Sequence, residues 1–246
     1  MLRIELAPRR SEREHPTVNI PAPPDLLARI RAVPAAPPLL ARLPARPPVQ
    51  LVGGAVRDVL LNRRPLELDL VVEGDPDRVA AALGGTPRVH DRFNTASVLV
   101  DGFRYDLARA RTESYSRPGA LPDVKPAGLV EDLSRRDFSV NAIAVALGGE
   151  RAGELTAVPN ALDDLEAKRL RVLHDRSFID DPTRLLRLAR YGARLGFSPE
   201  PHTLELARDA IDGGAIATIS GARLGAELRL LTREPDPVRA LGALRE

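Results

Sequence analysis

Apolar positions along the chain follow two periods. From Pro48 to about Leu147 they come in short runs bounded by turn residues, so that Val49–Val52, Leu68–Glu73, Arg88–His90, Thr95–Val100 and Phe103–Leu107 read as strands. Ala55–Leu61 and Asp77–Leu83 carry helical spacing between them, the second stopped by Gly84-Gly85. Asp101-Gly102 joins the last two strands as a hairpin turn. Downstream the period lengthens to that of a helix. In Ser177–Phe197, Leu185, Leu188, Ala189 and Leu195 form one stripe, with Asp180 as cap and Pro182 in the first turn. Pro201–Ala210 and Gly221–Thr232 read as further helices. The pattern predicts an α/β unit over residues 48–150 and a helical unit over 151–246.

Two segments break the pattern. Residues 1–48 hold 11 of the 23 prolines. Pro16–Pro24 reads as extended or disordered, Asp25–Val33 as a short helix capped by Asp25, and Leu39–Leu43 as one more turn. This leader, residues 1–47, is expected to pack loosely on the α/β unit. Ala110–Asp132 is rich in Gly and Pro, lacks periodicity and reads as a mobile loop.

Composition narrows the class. The chain has 246 residues, enough for one large or two small cores, and no Cys, so disulfides and thiolate metal sites are excluded. No apolar run reaches the roughly 18 residues of a membrane span. The N-terminal MLRIELAPRRSEREH carries charges throughout and lacks the apolar core of a secretory signal, so a cytoplasmic protein is expected. Net charge is only +2, but Arg far outnumbers Lys. A guanidinium fork suits phosphate oxygens. A GC-rich genome would produce the same bias, so the positions of the arginines inform more than their number.

The candidate chemistry gathers in Leu51–Val72, LVGGAVRDVLLNRRPLELDLVV. Gly53 and Gly54 form a turn before a helix that admits close approach of backbone N–H groups, with Arg57 in the first helical turn; such a turn favours phosphate. Glu67 and Asp69 are two apart where a strand begins, hence on one face. Two carboxylates beside a phosphate-holding turn suit a pair of Mg²⁺ ions on a triphosphate, although either half taken alone reads as an ordinary turn and a solvated face. Asp106 reads as a third acid near such metals, as a partner for Arg57 or Arg111, or as a plain surface residue. Arg135-Arg136-Asp137 reads as the charged start of a buried element. Arg187, Arg190 and Arg194 lie on one side of the long helix with Arg184 at its edge, and Asp181 and Arg184 have the spacing of a local ion pair. Arg223 and Glu227 are spaced likewise.

Together these motifs resemble the class II tRNA nucleotidyltransferases (CCA-adding enzymes) and bacterial poly(A) polymerases. GGAVRD with ELD is similar to the family's GG-x-VRD and D-x-D, Glu67 replacing the first Asp; RRDFSVNA is similar to RRDF[ST]-x-NA; DDPTRLLRLARYGARLGF is similar to EDPxRxLRxxRFxxxLGF. The resemblance covers about Val49 to Leu244 and implies a polymerase β-type nucleotidyltransferase head, a mixed sheet with helices, followed by an α-helical neck. It implies transfer of AMP or CMP from ATP or CTP to the 3′ end of RNA, above all tRNA. Glu67 and Asp69 would hold Mg²⁺; Gly53, Gly54, Arg57 and Arg136 would grip the triphosphate; Asp137 would meet the ribose hydroxyls, and Asn141 the nucleotide or local structure. Asp181 and Arg184 would read the base, and Arg187 would complete the nucleotide site. The segment 110–132 matches the loop that the family associates with adding the terminal A, which argues against a purely CC-adding enzyme. Asn94 stands where Gly is usual, the Asp-Pro-x-Gly-Gly hinge is replaced by Ala157-Val158-Pro159-Asn160-Ala161, and body and tail segments are absent. The grip on tRNA would then fall to Arg208, Arg223, Arg229 and Arg233, with a homodimer or a tail-supplying partner as the way to strengthen it. The alternative these departures suggest is a catalytically impaired nucleotide- or RNA-binding module.

Overall fold

The structure, a computed structural model, describes residues 17–84, 88–90 and 95–243, of which 88–90 by backbone alone. The N-terminal stretch through Pro16, Gly85, Asn94 and residues 244–246 lie outside them. The first elements are β1 (Val18–Ile20), α1 (Leu26–Arg31), α2 (Ala36–Leu40), β2 (Val49–Val52), α3 (Gly54–Leu60), β3 (Asp69–Val72), α4 (Pro76–Ala82), β4 (Arg88–His90), β5 (Thr95–Val100) and β6 (Phe103–Arg109). There follow β7 (Arg111–Ser114), β8 (Asp123–Pro126), α5 (Leu129–Ser134), a 3₁₀ turn at Ser139–Asn141, β9 (Ile143–Ala146) and β10 (Leu155–Ala157).

Eight of these strands form one sheet in the order β1-β10-β9-β2-β3-β6-β5-β4. The central strands β2 and β9 are buried at every position; β9 is an unbroken apolar run, and β2 also buries Gln50, whose Nε2 donates to Glu73 at 3.2 Å. Asp101 and Gly102, both at positive φ, make the tight β5–β6 hairpin turn. Every pairing is antiparallel except β3 with β6, which sets Asp69 directly beside Asp106. A parallel neighbour needs a crossover, and α4, β4 and β5 supply it.

The neck comprises α6 (Ala161–Glu166), β11 (Arg169–Leu170), α7 (Ser177–Asp180), α8 (Thr183–Leu195), β12 (Ser198–Pro199), α9 (Pro201–Asp212), α10 (Gly221–Thr232) and α11 (Pro237–Gly242). Its core takes Phe138 and Val140 from the head, packed with Leu165, Phe178, Leu185 and Leu188. The RRDF segment therefore lies at the seam of two cores. The mixed α/β head and helical neck agree with the expected fold class.

Four expectations need correcting. The leader is not loosely packed: β1 closes one edge of the sheet on β10, Leu26, Ile30 and Leu39 are buried in the head core, and Tyr105 donates its hydroxyl proton to the Ala35 carbonyl at 2.7 Å. Asp25 forms no side-chain cap and pairs with Arg29 instead. Segment 110–132 is not a structureless loop, because β7 and β8 pair over Arg111↔Pro126 to Ser114↔Asp123. Its strands are polar because the ribbon buries neither face, which is why no periodicity marks it. The long helix is broken at Asp181, φ −131 and ψ 89, since the residue before a proline is driven out of the α region; Asp180 ends α7 and pairs with Arg176 rather than capping α8. Asn160 does adopt φ 64, and Gly196 at φ 73 ends α8.

The leader's burial has a measurable consequence. Ile30→Ala removes a side chain 1% exposed and should cost about 2–4 kcal/mol in urea denaturation. A change below about 0.5 kcal/mol, typical of surface positions, would return α1 to the loose packing expected from the prolines.

Candidate active site

A cavity of about 450 Å³ opens between the head and α8, α10 and Asp181 of the neck. It lies within the roughly 300–1,000 Å³ range of small-molecule sites. Gly53, Gly54, Asp69, Arg136, Asp137 and Asn141 reach it from the head, and Asp181, Arg184 and Arg187 from the neck. Arg57 and Glu67 are not among its lining residues.

Gly53 has φ 68, and a Cβ there would meet Arg136 Nη1 at 2.8 Å. Its role is to let a guanidinium lie against the turn. The expectation that its N–H faces a ligand is not met, because that N–H donates to the Ile143 carbonyl at 2.9 Å. Arg136 Nη2 donates to Asp132 Oδ2 at 2.9 Å, while its buried Nε has no hydrogen-bond partner among the described residues. Asp132 is fully buried and also accepts from Arg135 Nε and Nη2. Burial opposes its ionisation, but the two guanidiniums outweigh it and lower its pKa. Arg135 Nη1 in turn donates to Glu113 at 2.7 Å, so β7 is tied to the cavity wall.

Arg57 is buried and occupied within the protein. Its Nε and Nη2 donate to Asp58 Oδ1 at 2.9 and 2.8 Å, and Nη1 donates to Asn141 Oδ1 at 2.5 Å. Asn141 Nδ2 donates to Asp137 Oδ1 at 2.9 Å, and Asp137 Oδ2 accepts from Arg187 Nε at 2.8 Å and Nη2 at 2.5 Å. The result is one polar chain, Asp58–Arg57–Asn141–Asp137–Arg187, running from α3 in the head to α8 in the neck. Burial opposes the charge on Asp137, but Arg187, the Asn141 amide and Arg184 hold its carboxyl well below the usual range. Arg57 is thus a strut, and Asp137 has most of its acceptor capacity committed to protein donors.

Asp69 starts β3 on the exposed face, in register with Asp106. The carboxyl is solvent-accessible but crowded: desolvation raises its pKa first, Arg136 pulls it down, and Glu67 and Asp106 push it up. Asp106 accepts from Ser97 Oγ and Arg104 Nε, and neither Arg57 nor Arg111 turns to it. Glu67 is exposed, just before the strand.

On the neck wall, Asp181 and Arg184 do not pair through their side chains. Asp181 Oδ1 accepts from Thr183 N at 3.1 Å, Thr183 Oγ1 at 2.6 Å and Arg223 Nη2 at 2.6 Å. Arg184 is buried; it donates to Ser177 Oγ at 2.6 Å and the Arg135 carbonyl at 2.8 Å. Arg223 also leaves its expected partner, since Glu227 pairs with Arg187 and Arg190 instead. Arg223 therefore faces inward, while Arg208, Arg229 and Arg233 are exposed. The sequence reading missed Tyr191, whose ring takes the guanidiniums of Arg57, Arg187 and Arg190 at 5.5, 5.5 and 4.8 Å from its centre. Its place one helical turn after Arg187 was the available signal.

The family model for the poly A polymerase head domain matches residues 49–171. An A-adding tRNA nucleotidyltransferase of Geobacter sulfurreducens is 43% identical over 199 residues, 79% of this chain and 23% of that protein. A CC-adding tRNA nucleotidyltransferase of Deinococcus radiodurans is 47% identical over 199 residues, 79% of this chain and 52% of that protein. A solved complex of a CCA-adding enzyme with CTP aligns with a TM-score of 0.78 at 31% identity, over 93% of this chain and 54% of that one. The chain thus spans about half the length of these relatives or less.

Proposed function

Since the chain belongs to the poly A polymerase head-domain family, we propose that it transfers AMP or CMP from ATP or CTP to the 3′ end of RNA, with tRNA as the acceptor. One observation carries the reading. A single cavity has Asp69 and the Arg136 guanidinium on its head wall and Asp181 and Arg184 on its neck wall. A nucleoside triphosphate needs that pairing of a phosphate end with a base end. The names of the relatives, A-adding and CC-adding tRNA nucleotidyltransferases, support the acceptor.

Each wall has its part in the reaction. Arg136, held by Asp132 and lodged against Gly53, binds the triphosphate through its guanidinium. The RNA 3′-oxygen attacks the α-phosphorus in line, and pyrophosphate leaves as the P–O bond breaks. The barrier falls chiefly through positioning and charge stabilisation. Asp181 accepts a hydrogen bond from the amino group of C or A, and Arg184 donates to the ring nitrogen beside it. G and U would leave both groups mismatched.

The carboxylates fit a hard divalent cation. Asp69 and Asp106 are oxygen donors in register, and repulsion from Glu67 and Asp106 contributes to the raised pKa of Asp69, a strain that a cation relieves. Mg²⁺ takes few protein ligands and keeps waters and substrate phosphates. Asp69, with Asp106 beside it and Glu67 before it, would hold the ion. Bound Mg²⁺ would supply Lewis acidity at the attacking hydroxyl and at the departing pyrophosphate.

The test is incubation with Mg²⁺, labelled ATP or CTP, and tRNA ending before CCA, at CC or at CCA. Transfer to at least one of these ends is expected, and the end that reacts separates A-addition, CCA-addition and poly(A) synthesis. The exposure of Glu67 outside the cavity favours the rival, a binding module without catalysis. Nucleotide binding with no transfer to any end would establish that rival. Arg184→Ala should reduce the preference for ATP or CTP over GTP and UTP by about tenfold or more while leaving triphosphate affinity largely intact. Unchanged selectivity would make Arg184 merely a buried tie between Ser177 and Arg135.

A further inference from the structure

Residues 62–67 lie between α3 and the strand that begins at Asp69, and none of them lines the cavity. Leu51 pairs with Leu70, so this loop returns to the end of the sheet where β2 runs into the Gly53-Gly54 turn. It carries Leu66, at 89% the most exposed large apolar side chain among the described residues. Arg63 and Arg64 are exposed beside it, and neither guanidinium has a hydrogen bond or ion pair with a described residue. The loop is nevertheless fixed at both ends. Arg29 Nη1 donates to Asn62 Oδ1 at 2.6 Å and to the Val59 carbonyl at 3.1 Å, which ties the start of the loop to α1. Asn62 takes φ 56, and the Arg63 N–H donates to the Asp58 carbonyl at 2.7 Å. Pro65 is buried before Leu66, and Leu68 after it.

A single exposed leucine is ordinary on a protein surface. Its place here is not. Two unpaired guanidiniums flank it, and Asp69 follows three residues later, within about 10 Å of extended chain. We propose that Arg63, Arg64 and Leu66 hold the single-stranded 3′ end of the acceptor RNA, the guanidiniums on its phosphates and Leu66 against the face of a base. The inference rests on the transferase reading and deepens it by giving the acceptor a site of its own. The cavity takes the nucleoside triphosphate. The RNA 3′-oxygen must reach the α-phosphorus at Asp69 on the side opposite the departing pyrophosphate, so the strand arrives from outside the cavity. Residues 62–67 are the part of the chain that approaches Asp69 from there. Guanidiniums match phosphate, and the unpaired bases of a strand end leave their faces open to an apolar side chain, as a duplex does not. The anchored loop is already ordered, so binding costs it little conformational entropy. An apolar protein partner would cover Leu66 but leave both cations unmatched.

The experiment uses the whole chain with three variants: Leu66→Ser, the double variant Arg63→Ala/Arg64→Ala, and Leu66→Cys. Equilibrium binding of a tRNA ending at CC is measured at several salt concentrations, beside binding of CTP and ATP. Leu66→Ser should raise the tRNA Kd about tenfold. Its salt slope, its affinity for CTP and ATP and its melting temperature should stay as in the wild type. The double variant should make the slope of log K against log salt shallower by about 1.4, two phosphates at about 0.7 each on a single strand. A tRNA trimmed back to its base-paired stem should bind wild type and Leu66→Ser alike. The chain has no cysteine of its own, so a photo-crosslinker on the Leu66→Cys variant sits at this position alone. It should join the last nucleotides of the RNA.

Equal affinity of wild type and Leu66→Ser for the tRNA ending at CC would overturn the proposal. Crosslinks confined to the duplex stem would do the same, as would crosslinks to a second copy of the chain, which would make the loop a contact between proteins. A loss of tRNA affinity matched by an equal loss of CTP affinity, or by a lower melting temperature, would reduce the loop to a support for Asp69. An inactive wild type that still holds the RNA end through Leu66 would sink the transferase reading alone. A wild type that transfers nucleotides with no dependence on Leu66, Arg63 or Arg64 would sink the acceptor site alone.

Discussion

Asp69→Ala is expected to lower nucleotide transfer by about a thousandfold or more while the protein stays folded. The magnitude reflects loss of the several kcal/mol of charge stabilisation that a bound cation gives phosphoryl transfer. The fold should survive because Asp69 is exposed at the start of β3. Its raised pKa means that the charged form is held there against desolvation and against Glu67 and Asp106, so alanine should leave the melting temperature unchanged or slightly higher. Single-turnover incorporation and a thermal melt of the same sample give both readings. Near-normal turnover would remove Asp69 from the chemistry. Glu67→Asp should keep or raise activity, since the shorter carboxylate restores the family's usual pattern.

Asp137→Ala should be the most destabilising single change in the site, at about 3 kcal/mol in urea denaturation, because it leaves the partly buried Arg187 with Glu227 alone as counter-ion. Asn141 and the Phe138 N–H lose their acceptor as well. The same carboxylate makes stability depend on pH. Its folded-state pKa lies below the ordinary value of 3.8, so its contribution is complete above that value and is lost as pH falls below it toward the depressed native pKa. Asp137→Asn should therefore flatten the acid limb of the stability curve below about pH 3.8, though it is less stable at neutral pH. An unchanged acid limb in Asp137→Asn would show that other carboxylates, Asp132 among them, carry the acid sensitivity.

Local rules succeeded where the decisive contact was itself local. The Asp101-Gly102 turn, the strand Val49–Val52 and the helix that begins at Pro201 each depend on neighbours in sequence or on a periodicity. The motifs likewise located most of the cavity wall. Other features were set by distant partners and escaped. Val18–Ile20 looks like a proline-flanked coil because its reason for being a strand, Leu155–Ala157, lies far along the chain. The register that sets Asp69 beside Asp106 is a property of a parallel pair joined through a crossover, and no spacing rule reports it. Arg57, Arg187 and Arg223 all sit in motif positions, yet their partners Asn141, Asp137 and Asp181 lie far along the chain, and for Arg223 the tie overrides the i, i+4 pairing with Glu227.

The pairing of β1 with β10 also bears on how the protein is made. Val18 faces Ala157 across the sheet edge, so the first described strand leaves the ribosome long before its partner. At roughly 5–20 residues per second the delay is on the order of ten seconds. Throughout it Leu26, Ile30 and Leu39 have an incomplete core to cover them. Asp137 then waits for Arg187, synthesised 50 residues later, before its charge is neutralised. Until Leu155–Ala157 emerges the head is thus a sticky, half-closed sheet, and until Arg187 follows Asp137 lacks its cation, which makes the nascent head a natural client for a chaperone near the exit tunnel.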